Sequence, residues 1–152
     1  MKKLKIGIIG IGRLGYEHAC NIANRVPGSE LVAISDKNIA RAKEVAEELG
    51  VSAVYENPAD LCNDPNVEAV AIVTNTDSHV DMIELAMNAG KLVFCEKPLA
   101  QTAQECEQII SAEVAAGKRL VQVGFMRRYD RGYAAMKQAI EVGEIGTPLM
   151  IH

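Results

Sequence analysis

Short apolar runs rich in isoleucine and valine recur along the chain, separated by segments in which apolar residues follow a helical spacing. Apolar residues predominate in each run, which is typical of strands buried on both faces of a parallel sheet. We therefore predict strands at residues 4–9, 31–34, 67–73, 92–94 and 120–123.

The segments between these strands carry the start, face and stop signals of helices. An apolar face at i, i+3, i+4 and i+7 is formed by Ala42, Val45, Ala46 and Leu49, and a similar one by Tyr133, Met136 and Ile140. Thr102 and Glu105 have the spacing of a capping box. Helical segments run into a glycine at Gly50, Gly90, Gly117 and Gly143. The alternation predicts an α/β fold of the Rossmann type, a doubly wound parallel sheet with helices on both faces.

Composition narrows the class of protein. The chain has 152 residues, 49% hydrophobic and 24% charged, as in a soluble globular domain with one core. Its net charge of −4 and its 16 scattered lysines and arginines give no footprint for a nucleic acid. No apolar stretch is long enough for a membrane span, and the start does not suit a secretion signal. The 4 cysteines form no C-x-x-C pair, so we expect reduced, mostly buried thiols, no metal site and a cytoplasmic location.

A glycine-rich turn at residues 10–15, GIGRLG, follows the first predicted strand and opens a helix. In this G-x-G-x-x-G pattern Gly10 permits a tight turn, Gly12 lets the backbone approach a pyrophosphate, and Gly15 lets the helix pack close to the strand. An anion here meets free N–H groups and the positive end of the helix dipole. We therefore predict a dinucleotide site that includes Arg13 and Leu14 beside the glycines.

Asp36 lies about 20 residues after Gly15, at the end of the second predicted strand, where an acidic side chain is expected to accept hydrogen bonds from the adenosine ribose. Its carboxylate would repel the 2′-phosphate of NADP, which favours NAD as the cofactor. Arg13 and Lys37 are near enough in sequence to reach the same ribose edge and pair with that phosphate, so NADP stays open.

Thr74 and Asn75 follow a buried strand. We expect them to contact the cofactor, because ligands bind at the carboxyl edge of doubly wound sheets. We expect structural and not chemical roles for two histidines. His79 is predicted to start a helix and not to act as a base, and His18 is predicted to lie at the surface.

A Cys-Glu-Lys-Pro sequence at residues 95–98 follows a buried strand, and residues 121–130 and 143–152 read VQVGFMRRYD and GEIGTPLMIH. Together with the glycine-rich turn, these motifs resemble the glucose-fructose oxidoreductase, inositol dehydrogenase and MocA family. The GFMRRYD sequence is similar to the inositol dehydrogenase branch of that family. The resemblance runs over essentially the whole chain and implies an NAD(P)-dependent oxidoreductase.

In the family, the lysine of Glu-Lys-Pro lies beside the nicotinamide and holds the reacting hydroxyl. The resemblance therefore implies that Lys97 is catalytic and contacts both substrate and cofactor, and that Glu96 belongs to the cofactor site. It also implies that Met126 and Arg127 lie against the substrate ring, where Arg127 donates hydrogen bonds to hydroxyl groups. An ammonium group at Lys97 can orient a carbinol and stabilise negative charge on its oxygen.

The resemblance further implies that these residues are the first part of a longer enzyme. Residues 1–147 are expected to form the cofactor domain and residues 148–152 to begin a second domain, an α+β open sheet that is otherwise absent here. The expected reaction is hydride transfer between a cyclic polyol or sugar carbinol, as in inositol to inosose, and NAD. The chain alone is expected to be inactive and the whole enzyme to be a homo-oligomer. An NADP-dependent sugar dehydrogenase or reductase and a non-catalytic cofactor sensor share the same motifs and remain alternatives.

Overall fold

Strands and helices alternate along the computed structural model, which describes residues 2–150. The strands are β1 (Leu4–Ile9), β2 (Ser29–Ser35), β3 (Ala53–Tyr55), β4 (Ala69–Ile72), β5 (Leu92–Cys95) and β6 (Val121–Val123). The helices are α1 (Arg13–Asn24), α2 (Ile39–Leu49), α3 (Pro58–Asn63), α4 (His79–Asn88), α5 (Ala103–Ala115) and α6 (Arg131–Glu141). Within residues 2–150, no helix has the length and apolar character needed to cross a membrane.

All strands pair in parallel and form one sheet in the order β3-β2-β1-β4-β5-β6. The chain winds outward from β1 to β3, crosses through α3 to β4 on the other side of β1, and winds outward again to β6. The winding direction therefore reverses between β1 and β4, and ligands of doubly wound sheets bind in the crevice at that point. The predicted Rossmann-type fold is confirmed.

Each face of the sheet has its own apolar core. Ile9 and Ile72 point to the face covered by α3, α4 and α5, whereas Ile8 and Ala71 point to the face covered by α1 and α2. Because successive side chains of a strand point to opposite faces, a strand buried on both faces needs an unbroken apolar run. Fully burying one isoleucine side chain contributes about 1.5–3 kcal/mol, so both layers stabilise the sheet.

Strand β3 is absent from the sequence prediction. Its three residues, Ala53 to Tyr55, are half-buried at the edge of the sheet, and an apolar run of three is too short to indicate a strand. The other strands exist as predicted, with ends displaced by at most two residues. For example, β4 is shorter than the predicted strand from Val67 to Val73. Both of these valines are buried but lie outside the strand, so the apolar pattern extends beyond the paired residues.

The predicted helix ends are confirmed. Gly50, Gly90, Gly117 and Gly143 all have φ between +67° and +75°, the left-handed conformation that glycine tolerates best. The capping box of α5 is formed by Thr102 and Glu105. Helix α6 is also present, but none of its residues is buried, so residues 2–150 leave its apolar face uncovered. Residues 148–150 have no regular secondary structure, and Ile151 and His152, where we expect a second domain to begin, lie outside the described residues.

Candidate cofactor-binding site

The three glycines of the turn after β1 meet different steric demands. Gly10 has φ +94°, and a Cβ there would stand 2.7 Å from the carbonyl oxygen of Val73 on β4's continuation. A Cβ at Gly15 would stand 1.9 Å from the carbonyl oxygen of Gly10, so only glycine lets α1 approach the turn this closely. At Gly12 a Cβ would meet no atom within 4 Å, because the backbone there faces open space.

The carboxylate of Asp36 is held in place by backbone N–H groups from two elements. Its Oδ2 accepts a hydrogen bond from Ile11 N–H in the glycine-rich turn at 2.7 Å, and its Oδ1 accepts one from Asn38 N–H at 2.8 Å. Asp36 follows β2 directly and does not belong to it. Each carboxylate oxygen keeps a further lone pair, so the side chain can still accept a hydrogen bond from a ligand hydroxyl.

A pocket of about 350 Å³ opens at the carboxyl ends of β1, β2, β3 and β4. The predicted cofactor residues that line it are Gly10, Gly12, Asp36, Lys37, Thr74 and Asn75. The other lining residues, which the sequence patterns do not single out, are Ile9, Glu56, Pro58, Val73, Asp77, Ser78 and Met82. Glu56 directly follows β3, so its place in the pocket could not be predicted from a sequence in which β3 was not recognised. The side-chain charges in this lining are three carboxylates and the ammonium of Lys37.

The remaining predicted site residues lie outside this lining. Arg13 and Leu14 are exposed residues at the start of α1, one and two positions beyond the Gly12 that lines the pocket. Lys97 is exposed in the loop after β5, and Met126 and Arg127 lie in the 3₁₀ turn after β6. Since β5 and β6 continue the sheet beyond β4, these side chains follow the same carboxyl edge as the pocket.

The loop after β5 is anchored by the carboxylate of Glu96. Its Oε2 accepts a hydrogen bond from Lys97 N–H at 3.1 Å, and its Oε1 lies 2.9 Å from His18 Nε2. The His18 ring also contacts the ring of Phe94, with centroids 5.5 Å apart. The His18 side chain is 25% exposed, so it lies at the surface as predicted but is partly covered by these contacts.

His79 starts α4, as predicted, but it is buried, with 2% of its surface exposed. Its Nδ1 lies 2.8 Å from the carbonyl oxygen of Pro98, and its Nε2 lies 3.2 Å from the carbonyl oxygen of Thr74. The ring therefore stands between the loop that carries Lys97 and a loop that lines the pocket. No local pattern in the sequence indicates the contact with Pro98, because the sheet brings the segments after β4 and β5 together.

The two residues that are predicted to contact the substrate, Met126 and Arg127, are exposed in this structure. Met126 is 59% exposed. Arg127 forms an ion pair with Asp130 at 3.2 Å, and its guanidinium lies 5.1 Å from the ring centre of Tyr133. Hydrogen bonds from the backbone N–H groups of Tyr133 and Gly132, together with Arg127, lower the pKa of Asp130, which caps α6.

The cysteines are free thiols. Cys62 and Cys95 are buried, and burial raises the pKa of Cys62 to about 11 and that of Cys95 to about 12, with the neighbouring Glu96 adding to the shift at Cys95. Cys20 and Cys106 are half-buried. The thiols of Cys62 and Cys95 are therefore protonated at neutral pH and pack in the core as small apolar side chains. In the described part of the chain, no three histidine, cysteine or acidic side chains are grouped to hold a metal ion.

These features fit a dinucleotide. The open backbone at Gly12 begins a helix and leaves room for a phosphate, and Asp36 offers a fixed acceptor at the next strand, with the pocket between them. The fold and the site together define a dinucleotide-binding domain of the Rossmann class.

Comparison with known proteins agrees with this class and narrows it. Residues 4–125 match the model of the GFO_IDH_MocA family, described as an oxidoreductase family with an NAD-binding Rossmann fold. The chain therefore belongs to the GFO_IDH_MocA oxidoreductase family. The predicted family and the NAD-binding fold are confirmed.

Similar proteins include the inositol 2-dehydrogenases of Salmonella typhimurium and Azotobacter vinelandii, each 49% identical over 150 residues that cover 98% of this chain. Those residues cover 45% and 44% of the two relatives, so the chain spans about half the length of the curated relatives it matches. The scyllo-inositol dehydrogenase of Lactobacillus casei, solved with bound NAD(H) and scyllo-inositol, superposes with a TM-score of 0.91 at 39% identity, over 95% of this chain and 43% of that one. The myo-inositol dehydrogenase of the same organism, in complex with NAD(H) and myo-inositol, gives a TM-score of 0.92 at 36% identity, over 97% and 44%.

Proposed function

We propose that this chain is the NAD-binding half of a dehydrogenase that oxidises a ring hydroxyl of a cyclic polyol of the inositol class. The observation that carries the proposal is the shared sheet edge: the pocket built on Gly12 and Asp36 lies at the carboxyl ends of β1 to β4, and the loop of Lys97 follows β5, the neighbour of β4 in the sheet. The names of the relatives, with inositol bound in two solved neighbours, support the choice of substrate.

In this proposal NAD is preferred over NADP. The carboxylate of Asp36 is fixed by two backbone hydrogen bonds and cannot turn away, so a 2′-phosphate beside it would be repelled. Glu56 and Asp77 add two further negative charges to the pocket lining. Lys37 is the feature that favours the alternative, an NADP-dependent sugar dehydrogenase, because its ammonium lines the same pocket and could pair with that phosphate.

At the substrate side, Lys97 is the proposed catalytic residue. When bound, NAD supplies the acceptor for the hydride. The ammonium of Lys97 would donate a hydrogen bond from Nζ to the reacting oxygen and stabilise the negative charge that develops there, while the hydroxyl proton would leave to a base in the second domain. Arg127 would donate to neighbouring hydroxyl groups, and Met126 would pack against the carbons of the ring.

The second half of the active site would come from a further domain. The uncovered apolar face of α6 supports this arrangement, because Tyr133 and Met136 are 48% and 41% exposed. Several apolar residues in the segment after α6 are exposed as well. Assembly of the whole enzyme into a homo-oligomer through that domain is part of the same proposal.

The cofactor part of the proposal is tested by calorimetric titration of the 152-residue chain with NAD and with NADP at fixed salt. We expect NAD to bind more tightly, and Asp36→Ser to remove the preference. Tighter binding of NADP would mean that Lys37 and Arg13 decide the specificity and would favour a sugar dehydrogenase. Binding of neither cofactor would contradict the proposal for this chain.

The catalytic part is tested in a hybrid enzyme, in which this chain replaces the matching residues of the Salmonella typhimurium inositol 2-dehydrogenase. The measurement is NAD reduction with myo-inositol as substrate. We expect activity in the hybrid enzyme, no activity in the chain alone, and a loss of at least 100-fold in kcat for Lys97→Met. Lys118→Met, at an exposed lysine in the turn after α5, is the matched control and should keep full activity. Full activity of the Lys97→Met hybrid would remove Lys97 from the mechanism.

A further inference from the structure

Among residues 2–150, the buried polar residues are Ser29, Ser35 and His79, and the proposed reaction does not use the imidazole of His79. Burying an imidazole is costly unless its ring nitrogens find partners. A residue that has only to fill this space could be apolar. The polar ring at this position therefore calls for an explanation in terms of the groups it contacts.

The two contacts of His79 are backbone carbonyl oxygens from two different loops. The shorter, 2.8 Å from Nδ1 to the oxygen of Pro98, has the length of a good hydrogen bond. A carbonyl can only accept, so a ring nitrogen that bonds to one must carry a proton; in a neutral ring with a single proton, the shorter distance assigns that proton to Nδ1. The Nε2 edge of the ring rests 3.2 Å from the oxygen of Thr74. The ring thus spans from one loop to the other.

Both loops belong to the proposed site. Pro98 is the residue after Lys97, in the segment that we call the Lys97 loop (residues 96–99). Thr74 starts the segment that we call the Thr74 loop (residues 74–78), most of which lines the cofactor pocket. The Thr74 loop is itself held by Ser78, whose Oγ donates to Thr74 Oγ1 at 2.8 Å or to Asn75 O at 2.9 Å.

We propose that His79 is a positioning residue for Lys97: its Nδ1–H holds the Pro98 carbonyl and so fixes the Lys97 loop at a set distance from the cofactor pocket. This inference rests on the function proposed above for Lys97. The other anchor of the loop is the Glu96 carboxylate, which accepts a hydrogen bond from the N–H of Lys97. The backbone is therefore held at the N–H of Lys97 and at the carbonyl of the following residue, while the Lys97 side chain stays exposed and free to reach a substrate.

Two conservative variants separate this role from simple space filling. The amide nitrogen of an asparagine takes the place of Nδ1, so His79→Asn keeps the donor to Pro98. The amide nitrogen of a glutamine takes the place of Nε2, so His79→Gln points its donor at Thr74 and leaves Pro98 without one. Both variants replace an aromatic ring by an amide, so a loss of packing alone would affect them similarly.

The first measurement is the protonation of the His79 ring in the unsubstituted chain, by long-range proton–nitrogen NMR. We expect a proton on Nδ1; a lone pair there would overturn the proposal, whatever the variants do. The second is the rate at which an amine reagent labels Lys97 with and without NAD, followed by mass spectrometry, with Lys118 as the exposed control lysine.

We expect His79→Asn to keep the labelling rate of Lys97 and its protection by NAD within about twofold, and His79→Gln to change both by roughly threefold to tenfold, the range that one net hydrogen bond corresponds to. The amide signal of Lys97 should move in the glutamine variant and stay in the asparagine variant. Equal effects of the two variants would reduce His79 to a packing residue and overturn the inference. Failure of the unsubstituted chain to bind NAD would instead count against the proposed function, since the ring protonation and the amide signals do not depend on the cofactor.

Discussion

Alanine substitutions at two glycines with free space around them give the sharpest test of where the cofactor lies. A Cβ at Gly12 or at Gly50 would meet no atom within 4 Å, so neither Gly12→Ala nor Gly50→Ala causes a clash in the free protein. The two positions differ in place and in conformation. Gly12 has φ −66° and ψ −171° and lines the pocket, whereas Gly50 has φ +70° and ends α2 away from it.

From this geometry we expect opposite results. Gly12→Ala suits the backbone, so the free energy of unfolding should change by less than about 1 kcal/mol, a weaker N-cap being offset by a stiffer unfolded chain. The added methyl group would stand where the pyrophosphate approaches, and loss of one charge-assisted hydrogen bond should raise the Kd of NAD by about tenfold to a hundredfold. Gly50→Ala should cost about 1 kcal/mol of stability, because alanine resists positive φ, and should leave the Kd unchanged.

The assays are calorimetric titration with NAD and urea unfolding followed by circular dichroism. Gly15→Ala supplies the third comparison: its Cβ would lie 1.9 Å from the Gly10 carbonyl oxygen, so α1 must shift, and both stability and affinity should fall. Wild-type NAD affinity in Gly12→Ala would refute the reasoning, since the cofactor would then not approach the backbone at this turn. Equal loss of affinity in Gly50→Ala would mean that binding only reports stability.

Three further predictions concern local structure. Because backbone N–H groups and Arg127 lower the pKa of Asp130 below its ordinary value of 3.8, the stabilisation of α6 by its cap is present at neutral pH and lost as the pH falls through that lowered value; the amide signals of α6 should follow this titration. Cys62 and Cys95, with pKa values raised by burial to about 11 and about 12, should resist iodoacetamide at pH 8 in the folded chain and react after denaturation, as read by mass spectrometry. Thr102→Ala should lower stability by about 1 kcal/mol in urea unfolding, because it removes the capping hydrogen bond to Glu105 N–H.

Each of these has a control or a contrary result. Asp130→Asn keeps a capping oxygen without a titrating group, so its α6 signals should not change with acid; if they do, the cap carboxylate is not the cause. Alkylation of Cys95 in the folded chain would show that β5 opens readily. An unchanged urea midpoint in Thr102→Ala would mean that α5 frays at its start and that the cap contributes nothing. If the cap does stabilise the helix, Thr102→Ser should be as stable as the unsubstituted chain, because serine keeps the capping hydroxyl.

The sequence by itself determined those features that depend on neighbouring residues. Predominantly apolar runs indicated strands buried on both faces, because successive side chains of a strand face the two helix layers in turn. Glycines at helix ends and the capping box at Thr102 are local devices, so they could be found without the fold. The turn at Gly10, Gly12 and Gly15 was recognisable because its spacing answers to contacts within a single strand-turn-helix unit.

Only the tertiary structure decided which distant residues share the site. Strand β3 has only three residues and is stabilised by its pairing with β2, so it was missed, and Glu56 was missed with it. His18 and His79 have the sequence context of ordinary helix residues, yet His18 contacts Glu96 and His79 contacts Pro98. These two contacts join segments that follow different strands, and a parallel sheet brings such segments to one edge whatever their separation in the chain. The physical reason is that hydrogen bonds across this edge depend on strand order, which no local pattern of residues encodes.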